Sequence, residues 1–202
     1  MKKYILHIVM LLTIIVLLSN ILDMNSKYLR SMDEIRFKLE MDSISMSELA
    51  GRIKLLYRNS HFEVNKDTYL TNENGKILSL KDIAFDGYLF IIRFSEFNCI
   101  SCITEEMQHV SNFLKSNQNV ICIVTYDKQI DLLNTKRTLG MSFPIFNIPF
   151  ASFNNEMEIK KLPYYFILDK NYHVNSLFIA DPNNYKLTDD YLNYISTLLK
   201  GY

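Results

Sequence analysis

The pattern of apolar and polar positions divides the chain into three segments. Residues 4–22 carry no formal charge and are apolar on every side of a helix. Residues 25–60 are mixed in charge, and apolar side chains recur there at spacings of three and four. Residues 61–202 change to short alternating or continuous apolar runs separated by turns, a pattern typical of strands and helices in one folded domain.

The first segment, within residues 1–24, predicts a helix long enough to cross a membrane. Nineteen helical residues, Tyr4–Leu22, span about 28 Å, close to the roughly 30 Å hydrocarbon core of a bilayer. Two lysines precede the run, so the positive-inside rule predicts a signal anchor with the chain exported from Asp23 onward. A cleaved signal peptide is the alternative, because Ile8–Leu18 has the length of its apolar region, although no convincing cleavage site follows.

The second segment, residues 25–60, predicts one or two amphipathic helices. Its apolar stripe is formed by Leu29, Met32, Ile35, Leu39, Leu49, Ile53 and Leu56. Such a stripe is typical of a helix that buries one face. We interpret the segment as a helical spacer between membrane and domain, with a specific docking helix as the alternative.

The third segment, residues 61–202, predicts the element order hairpin, then β-α-β-α-β, then β-β-α. The first hairpin turns at residues 72–75 and a second turn, at residues 169–172, joins the last two strands. Tyr88–Ser95 and Asn119–Tyr126 are almost continuously apolar, which predicts strands covered on both faces. A final helix is predicted to begin with Thr188 as its N-cap. This order indicates an α/β domain with a mixed sheet flanked by helices.

Composition limits the classes of function. The 202 residues are 49% hydrophobic, which is enough for one core plus an appendage. The 22 basic and 22 acidic residues give no net charge, so nothing indicates a basic surface for nucleic acid. Three cysteines in a chain of this length do not form a disulfide scaffold. One of them, Cys122, lies inside a strand pattern, and we expect it to be a buried thiol.

The other two cysteines, Cys99 and Cys102, form a C-x-x-C motif between a predicted strand and a predicted helix. At a helix start, unpaired backbone N–H groups and the positive end of the helix dipole favour the thiolate form of Cys99. Positions i and i+3 share a helix face, so Cys102 is placed as the resolving partner. A fixed structural disulfide is the main alternative. Half of a metal site is another, although the four histidines are scattered and offer no second ligand pair.

Four stretches between residues 62 and 199 carry a family likeness. They are NENGKILSLKDI, YLFIIRFSEFNCISC, CITEEM and LPYYFILDKNYHV. Together they resemble the membrane-anchored bacterial thioredoxin-like proteins of the TlpA/ResA type, within the wider AhpC/TSA-related redoxin group. The resemblance implies a thioredoxin-like fold with an N-terminal hairpin extension, and a redox-active disulfide, Cys99–Cys102. It also implies a substrate groove at Leu162 and Pro163, where the family has a cis proline against the disulfide.

Several positions depart from that family pattern. The family usually has Trp beside the first cysteine, where this chain has Phe97 and Asn98 and no Trp at all. Thioredoxins often bury an acid six residues before that cysteine. Here the position holds Arg93, a cation that favours a thiolate but accepts no proton. Ile100 and Ser101 separate the cysteines without the common proline.

Two acidic residues, Glu105 and Glu106, follow the motif. Glu106 is a candidate proton shuttle for the cysteine pair. The alternative is that both carboxylates lie on a solvated face and complement the helix dipole. Peroxidase activity is not expected, because peroxiredoxins place Thr or Ser three residues and Pro seven residues before the reactive cysteine. This chain has Glu96 and Ile92 at those positions.

These patterns and the resemblance lead to one functional hypothesis. We expect a thiol–disulfide oxidoreductase, acting as a reductant, that exchanges disulfides or thiols with exported protein substrates through Cys99 and Cys102. A redox partner protein would supply or accept the electrons, and no bound cofactor, metal or nucleic acid is required. The domain is expected on the periplasmic side of the inner membrane, or secreted after signal cleavage. The alternative is a redox-inactive thioredoxin-fold module for binding or assembly at the membrane.

Overall fold

Two compact units make up the chain, Met1–Gly51 and Arg52–Tyr202. The computed structural model describes residues 2–60, 62–85, 87–98, 100–114, 119–149, 152–181 and 184–200. Within helices, the side chains of residues 2–9, 11, 12, 100–102 and 200 fall outside this description.

The first unit is helical. It lies within helix α1, Lys2–Asn59, and every side chain from residue 13 to residue 50 is exposed. The sequence favours a helix over this length because it contains no proline and only one glycine, Gly51. The sequence left open one or two helices in residues 25–60, and a single continuous helix is observed.

The predicted membrane anchor, Tyr4–Leu22, is not supported by the helices of the structure. Among the described residues, no helix contains an apolar stretch sufficient to cross a membrane. Part of Tyr4–Leu22 lies outside the described side chains. The anchor therefore stays a prediction from the sequence.

The second unit is built on one seven-stranded sheet. Its strands are β1 (Tyr69–Asn72), β2 (Ile77–Ser79), β3 (Leu89–Ser95), β4 (Val120–Thr125), β5 (Ile145–Asn147), β6 (Tyr164–Leu168) and β7 (Val174–Ile179). Its helices are a 3₁₀ turn (Leu80–Asp82), α2 (Ile100–Leu114), α3 (Gln129–Thr138), α4 (Glu156–Lys160) and α5 (Tyr185–Lys200), preceded by the end of α1.

The strands lie in the order β2-β1-β5-β4-β3-β6-β7. Strands β3, β4 and β5 are parallel to one another, whereas the remaining neighbours pair antiparallel. Every residue of β3 and of β4 is buried, as their continuous apolar sequences predicted. The mixed α/β sheet, the hairpin and the turn before β7 are confirmed.

Two apolar layers cover the two faces of the sheet. Alternate residues of the central strands point to opposite faces, so each strand supplies both layers. One layer packs Phe90 and Ile92 against Met107 of α2 and Leu192 of α5. The other packs strand residues against Leu55 at the end of α1 and Met157 of α4. Strand β3 is therefore covered by apolar side chains on both faces.

Two helices differ from the sequence prediction: α4 was not predicted, and α5 begins earlier than predicted. Helix α4 is absent from the predicted order, because its five residues are too short to show a periodic pattern. It is capped by Asn155, whose side chain accepts a 3.0 Å hydrogen bond from the backbone N–H of Glu158. Helix α5 begins at Tyr185, so the prediction of Thr188 as N-cap is wrong. The Thr188 hydroxyl is fully buried and bonds a carboxylate of another helix instead.

The prediction for Cys122 is confirmed. Its thiol is free and buried in the middle of β4. Burial in an apolar layer disfavours the charged form and raises the pKa of this thiol far above its ordinary value. Cys122 therefore lacks the thiolate character that exchange chemistry requires.

Candidate functional site

A cavity of about 360 Å³ lies at the carboxyl end of β3, beside the first turns of α2. Its wall is mostly apolar and includes Phe94, Ile103, Met107, Tyr165 and Ile179. The polar or charged residues that line it are few: Arg52, Asn98, Glu106 and Lys161. An apolar hollow of this size with a small number of polar groups is typical of a binding site.

Three of the predicted site residues meet in the wall of this cavity: Glu106, Leu162 and Pro163. Glu106 lies in α2, and the other two lead directly into β6. Cys99 lies outside the described residues, and Cys102 is described only as a backbone position in α2. The redox-active pair therefore stays a prediction, although its motif opens the same helix that carries Glu106.

Glu106 is buried, with 5% of its surface exposed, which excludes the solvated-face alternative for this residue. Its Oε1 atom accepts hydrogen bonds from the Tyr165 hydroxyl at 2.9 Å and the Thr188 hydroxyl at 2.7 Å. Its Oε2 atom is also buried and has no hydrogen-bond partner among the described residues. Glu105, the neighbour in sequence, is exposed and accepts a hydrogen bond from the Tyr185 hydroxyl.

The environment of Glu106 alters its acidity. Removal from water disfavours the carboxylate and raises the pKa of Glu106, against the opposing effect of the Thr188 and Tyr165 hydrogen bonds. Two hydroxyl donors fix the orientation of the carboxyl group, while Oε2 remains open to a proton or another donor. A buried carboxyl with one anchored and one unpaired oxygen is suited to accept and release a proton.

Asn98 joins the two walls of the cavity. Its Oδ1 atom accepts hydrogen bonds from the Ser95 backbone N–H at 2.7 Å and from the Ser95 hydroxyl at 3.3 Å. Its Nδ2 atom donates to the carbonyl oxygen of Lys161 at 2.6 Å. The residue directly before the first cysteine thus fixes the end of β3 to the segment that precedes Pro163.

Replacing Asn98 by alanine should loosen this connection. We expect the free energy of unfolding to fall by about 1–2 kcal/mol, because the Ser95 N–H and the Lys161 carbonyl lose their shared partner. Urea unfolding measures this change. Asn98→Asp is the matched variant, since it keeps the acceptor for Ser95 and replaces the donor to Lys161 by a charged acceptor oxygen. Equal stability of Asn98→Ala and the wild type would show that water replaces both bonds.

Lys161 shapes the segment between α4 and Pro163. It ends α4 with a φ of 55°, in the left-handed region that favours glycine. Its Nζ atom lies 3.8 Å from the centre of the Phe97 ring, a cation–π contact. Phe97 is half exposed, so a ring and a cation border the mouth of the cavity where the family likeness implied Trp.

The Leu162–Pro163 peptide bond is trans, as are all peptide bonds between described residues. This corrects the cis proline that the resemblance implied at this position. Backbone hydrogen bonds hold the segment in this form: Leu162 N–H donates to the Met157 carbonyl at 3.0 Å, and the Pro163 carbonyl accepts from Ala180 N–H at 3.3 Å. The trans isomer is also the intrinsically favoured form of an X–Pro bond.

Arg93, expected to act on the thiolate, is instead paired with a buried acid. Its Nε and Nη2 atoms each donate to a different Glu158 oxygen at 2.7 Å, and both side chains are nearly inaccessible. Nη2 also donates to the Thr125 hydroxyl at 2.8 Å, and Nη1 to the Phe94 and Ile123 carbonyls. The charge of Arg93 is therefore balanced by Glu158, and its role is to hold α4 against the sheet.

Several residues of the site were not indicated by the sequence. Asn98, Lys161, Tyr165 and Thr188 each act through a partner on a distant element. Thr188 and Glu106, for example, are 82 residues apart. A polar residue inside an apolar helical stripe was the available signal for Thr188, and it was interpreted as a cap. Asn98 stood out only because it replaces part of the family's Trp region, and its bond to Lys161 could not be read from the sequence. Lys161 and Tyr165 carried no signal, because their partners Phe97 and Glu106 become neighbours only in the folded chain.

Of the known proteins compared with this chain, only solved structures match it. No family model matches the chain, and no curated protein matches it. A protein from Aquifex aeolicus VF5, provisionally assigned to electron transfer, aligns with a TM-score of 0.51 at 15% identity, over 69% of this chain and 93% of that one. The thioredoxin domain of a thiol-disulfide oxidoreductase from Bacteroides vulgatus aligns with a TM-score of 0.50 at 11% identity, over 68% and 98%.

A peroxiredoxin also aligns: the mitochondrial 2-cys peroxiredoxin of Plasmodium falciparum, with a TM-score of 0.45 at 19% identity, over 69% of this chain and 98% of that one. Identities this low concern the backbone fold and not the chemistry. The first two alignments cover 69% and 68% of this chain and nearly all of each matched chain. The chain has a thioredoxin-like fold.

Proposed function

We propose that this protein is a thiol–disulfide oxidoreductase that reduces disulfides in exported proteins through Cys99 and Cys102. The observation that supports this most is the cavity at the start of α2. Glu106, Leu162 and Pro163 line this cavity, and Glu106 lies in α2, the helix that follows Cys99 in the sequence. The motif supplies a nucleophile, the helix start favours its thiolate, and the cavity offers a surface for the client.

The proposed reaction takes two exchange steps. The Cys99 thiolate attacks one sulfur of a client disulfide. The client S–S bond breaks, a mixed disulfide forms, and the second client sulfur leaves as a thiolate that takes up a proton. Cys102 then loses its proton and attacks the Cys99 sulfur, which releases the client as a dithiol. The protein is left with a Cys99–Cys102 disulfide, so two electrons have passed to the client.

Glu106 is the proposed acceptor of the Cys102 proton. It lies four residues after Cys102 in α2, which is one helical turn. Its unpaired Oε2 and raised pKa suit a base that takes a proton from a thiol and later returns it to solvent or to the redox partner. The Tyr165 and Thr188 hydroxyls hold its other oxygen and thereby orient it.

The apolar cavity is the proposed client groove. Leu162 and Pro163 form one side, and the Phe97 ring with the Lys161 cation borders the opening. An apolar side chain of the client, next to the client's disulfide cysteine, would be removed from water in this cavity, which favours binding. Regeneration needs a second protein with a dithiol, which returns two electrons to the oxidised pair. The proposal requires no bound cofactor.

The N-terminal segment is the proposed membrane anchor, with the domain on the exported side. The uncharged run Tyr4–Leu22 and the two lysines before it support this arrangement. An oxidising compartment also supplies the client disulfides that a reductant needs. A domain released after signal cleavage would meet the same clients without the anchor.

Trapping tests the function and the compartment together. A Cys102→Ser variant should accumulate mixed disulfides with clients, because the resolving thiol is absent. Expressed as the full chain in its host and separated without reductant, it should yield adducts that contain exported proteins. The matched control is Cys99→Ser with Cys102→Ser, which should yield none. Equal adduct patterns in the two variants would overturn the oxidoreductase proposal, and cytoplasmic adducts alone would overturn the location.

A further inference from the structure

An apolar seam, interrupted only at Asp42, runs along the exposed helix of the first unit between Tyr28 and Leu49. Its large side chains are Tyr28, Met32, Ile35, Leu39, Met46 and Leu49. Between 47% and 72% of the surface of each is exposed, so the described residues of the chain leave this seam uncovered. Surface of this extent on a helix without a tertiary partner calls for a second molecule.

The spacing of the seam is that of a coiled coil. With Asp42 included, the steps from Tyr28 to Leu49 alternate strictly between four and three residues, an average of 3.5. The same alternation begins earlier, at Ile21 and Asn25, and therefore covers four heptads. A helix that packs on its own domain follows a period near 3.6, whereas a 3.5 period maintained over this length specifies a left-handed supercoil.

The opposite face of the helix carries no comparable stripe. Phe37 and Ile44 lie there, but Arg30, Glu34 and Glu48 interrupt them. A helix that lay flat on a membrane would present one broad apolar face and one cationic face. Within residues 25–49, all of whose side chains are described, a sustained apolar repeat follows only the narrow seam.

We propose that the seam is covered by a second copy of this chain, in a parallel two-stranded coiled coil. This inference does not depend on the proposed redox function. In a parallel pair each seam residue meets its own counterpart, so one sequence provides both halves of the interface.

Asn25 supports the choice of a second copy as the partner. It occupies the same heptad position as Met32 and Leu39. Facing its counterpart in register, one Asn25 amide can donate a hydrogen bond to the carbonyl oxygen of the other, so the two polar groups pair within the seam. A single asparagine at this heptad position specifies register and favours two strands. A lipid surface offers no such partner for a buried amide.

The available area is of the size that a stable pair requires. Burial of one large apolar side chain removes roughly 60–120 Å² from water. Seven such side chains, with Ile21 included, therefore give each helix an interface of the same order as the roughly 800 Å² per partner of a stable complex. Charges beside the seam contribute little, since Arg36 and Lys38 would face serines in a parallel pair. The association should consequently persist at high salt.

Site-specific cross-linking of the full chain tests the orientation. In a Cys99→Ser, Cys102→Ser background, Met32→Cys and Met46→Cys place thiols in the seam, and Ile44→Cys places one on the opposite face. Oxidation in mild detergent should give at least 10-fold more covalent dimer from each seam variant than from Ile44→Cys. Equal cross-linking at 44 and 46 would overturn the seam. A covalent dimer from Met46→Cys but none from Met32→Cys would overturn the parallel arrangement.

Mass measurement tests the number of chains. Sedimentation equilibrium, corrected for bound detergent, should give twice the mass of one chain. Leu39→Glu with Met46→Glu should shift it to one chain, whereas the control, Phe37→Glu with Ile44→Glu, should leave the dimer intact. A single-chain mass for the wild type, or a mass of three or more, would overturn the two-stranded coil.

A variant that should strengthen the association gives a result that misfolding cannot produce. Asp42 is the one charged position in the seam, and a parallel pair would bring two Asp42 carboxylates together. Asp42→Leu should tighten association at least 10-fold, measured as the dissociation constant by sedimentation. Unchanged or weaker association in this variant would contradict the proposed register.

Discussion

Replacing Glu106 by glutamine should slow the second exchange step about 100-fold at neutral pH, within the range that a positioned base contributes. Glutamine keeps the shape and can still accept the Tyr165 and Thr188 hydrogen bonds, but it takes no proton from a thiol. The mixed disulfide should therefore form at nearly the wild-type rate and persist longer. Rapid-quench kinetics with a model disulfide separates the two steps.

The pH dependence of the rate of the second exchange step gives a further test of Glu106 as the base. A base acts in its ionised form, so the wild-type rate should rise with pH through the pKa of Glu106, which burial raises above the ordinary value of 4.5. The glutamine variant should lose this rise and keep only the dependence of the thiol itself. A wild-type profile unchanged by the substitution would eliminate Glu106 as the base.

Folding stability gives an independent measure of the raised pKa. The folded chain binds the Glu106 proton more tightly than the unfolded chain, so this group stabilises the fold at low pH. That contribution is lost as pH rises from the unfolded pKa to the folded pKa. Glu106→Gln should not show this loss.

Glu105→Gln is the matched control for the exchange kinetics, because the Glu105 side chain is exposed. The rate of the second exchange step in this variant should stay within about twofold of wild type.

Removing one partner of the Arg93–Glu158 pair should be the largest destabilisation. Arg93→Leu leaves the Glu158 carboxylate buried without its cation, and breaking such a pair costs about 3–5 kcal/mol. The Tyr164 hydroxyl, which donates to Glu158 at 2.8 Å, is too weak a substitute for a bidentate guanidinium. Urea unfolding followed by tyrosine fluorescence is suitable, since the chain has no Trp.

The double variant separates the charge from the packing. Arg93→Leu with Glu158→Met removes both charges and should recover most of the lost stability, because a buried ion pair and an apolar pair of similar volume differ little in net free energy. A double variant as unstable as Arg93→Leu would show that the network of Thr125 and backbone carbonyls, and not the ion pair, is decisive. Helix α4 should detach first, which also moves Leu162 and Pro163.

Much of the fold was predictable because it depends on local pattern. The continuous apolar runs of β3 and β4 predicted buried strands, and the turns at Gly75 and at residues 169–172 predicted their hairpins. Hydrophobic periodicity reports which residues face a core, and burial of those residues is the main driving force of folding. Helix α4 escaped prediction because five residues do not complete a period.

The site was only partly predictable, because chemistry depends on distant neighbours. The sequence identified Glu106 as a candidate, but its burial and its bond to Thr188 required the packing of α5 on α2. It identified Arg93 as an unusual cation, but the sequence separation of 65 residues concealed its pairing with Glu158. Burial sets the acidity of Glu106 and Glu158 balances the charge of Arg93, and pattern reasoning sees neither the burial nor the partner.

The sequence by itself determined the order of the strands and of the longer helices of the second unit, the presence of the C-x-x-C motif, and the 3.5-residue period of the first unit. Each of these follows from residue types at fixed spacing. Only the tertiary structure decided the acidity of Glu106, the pairing of Arg93 with Glu158 and the trans bond before Pro163. It also decided the joining of Asn98 to Lys161. These properties depend on desolvation and on hydrogen bonds between elements, and both arise when the chain closes around its sheet.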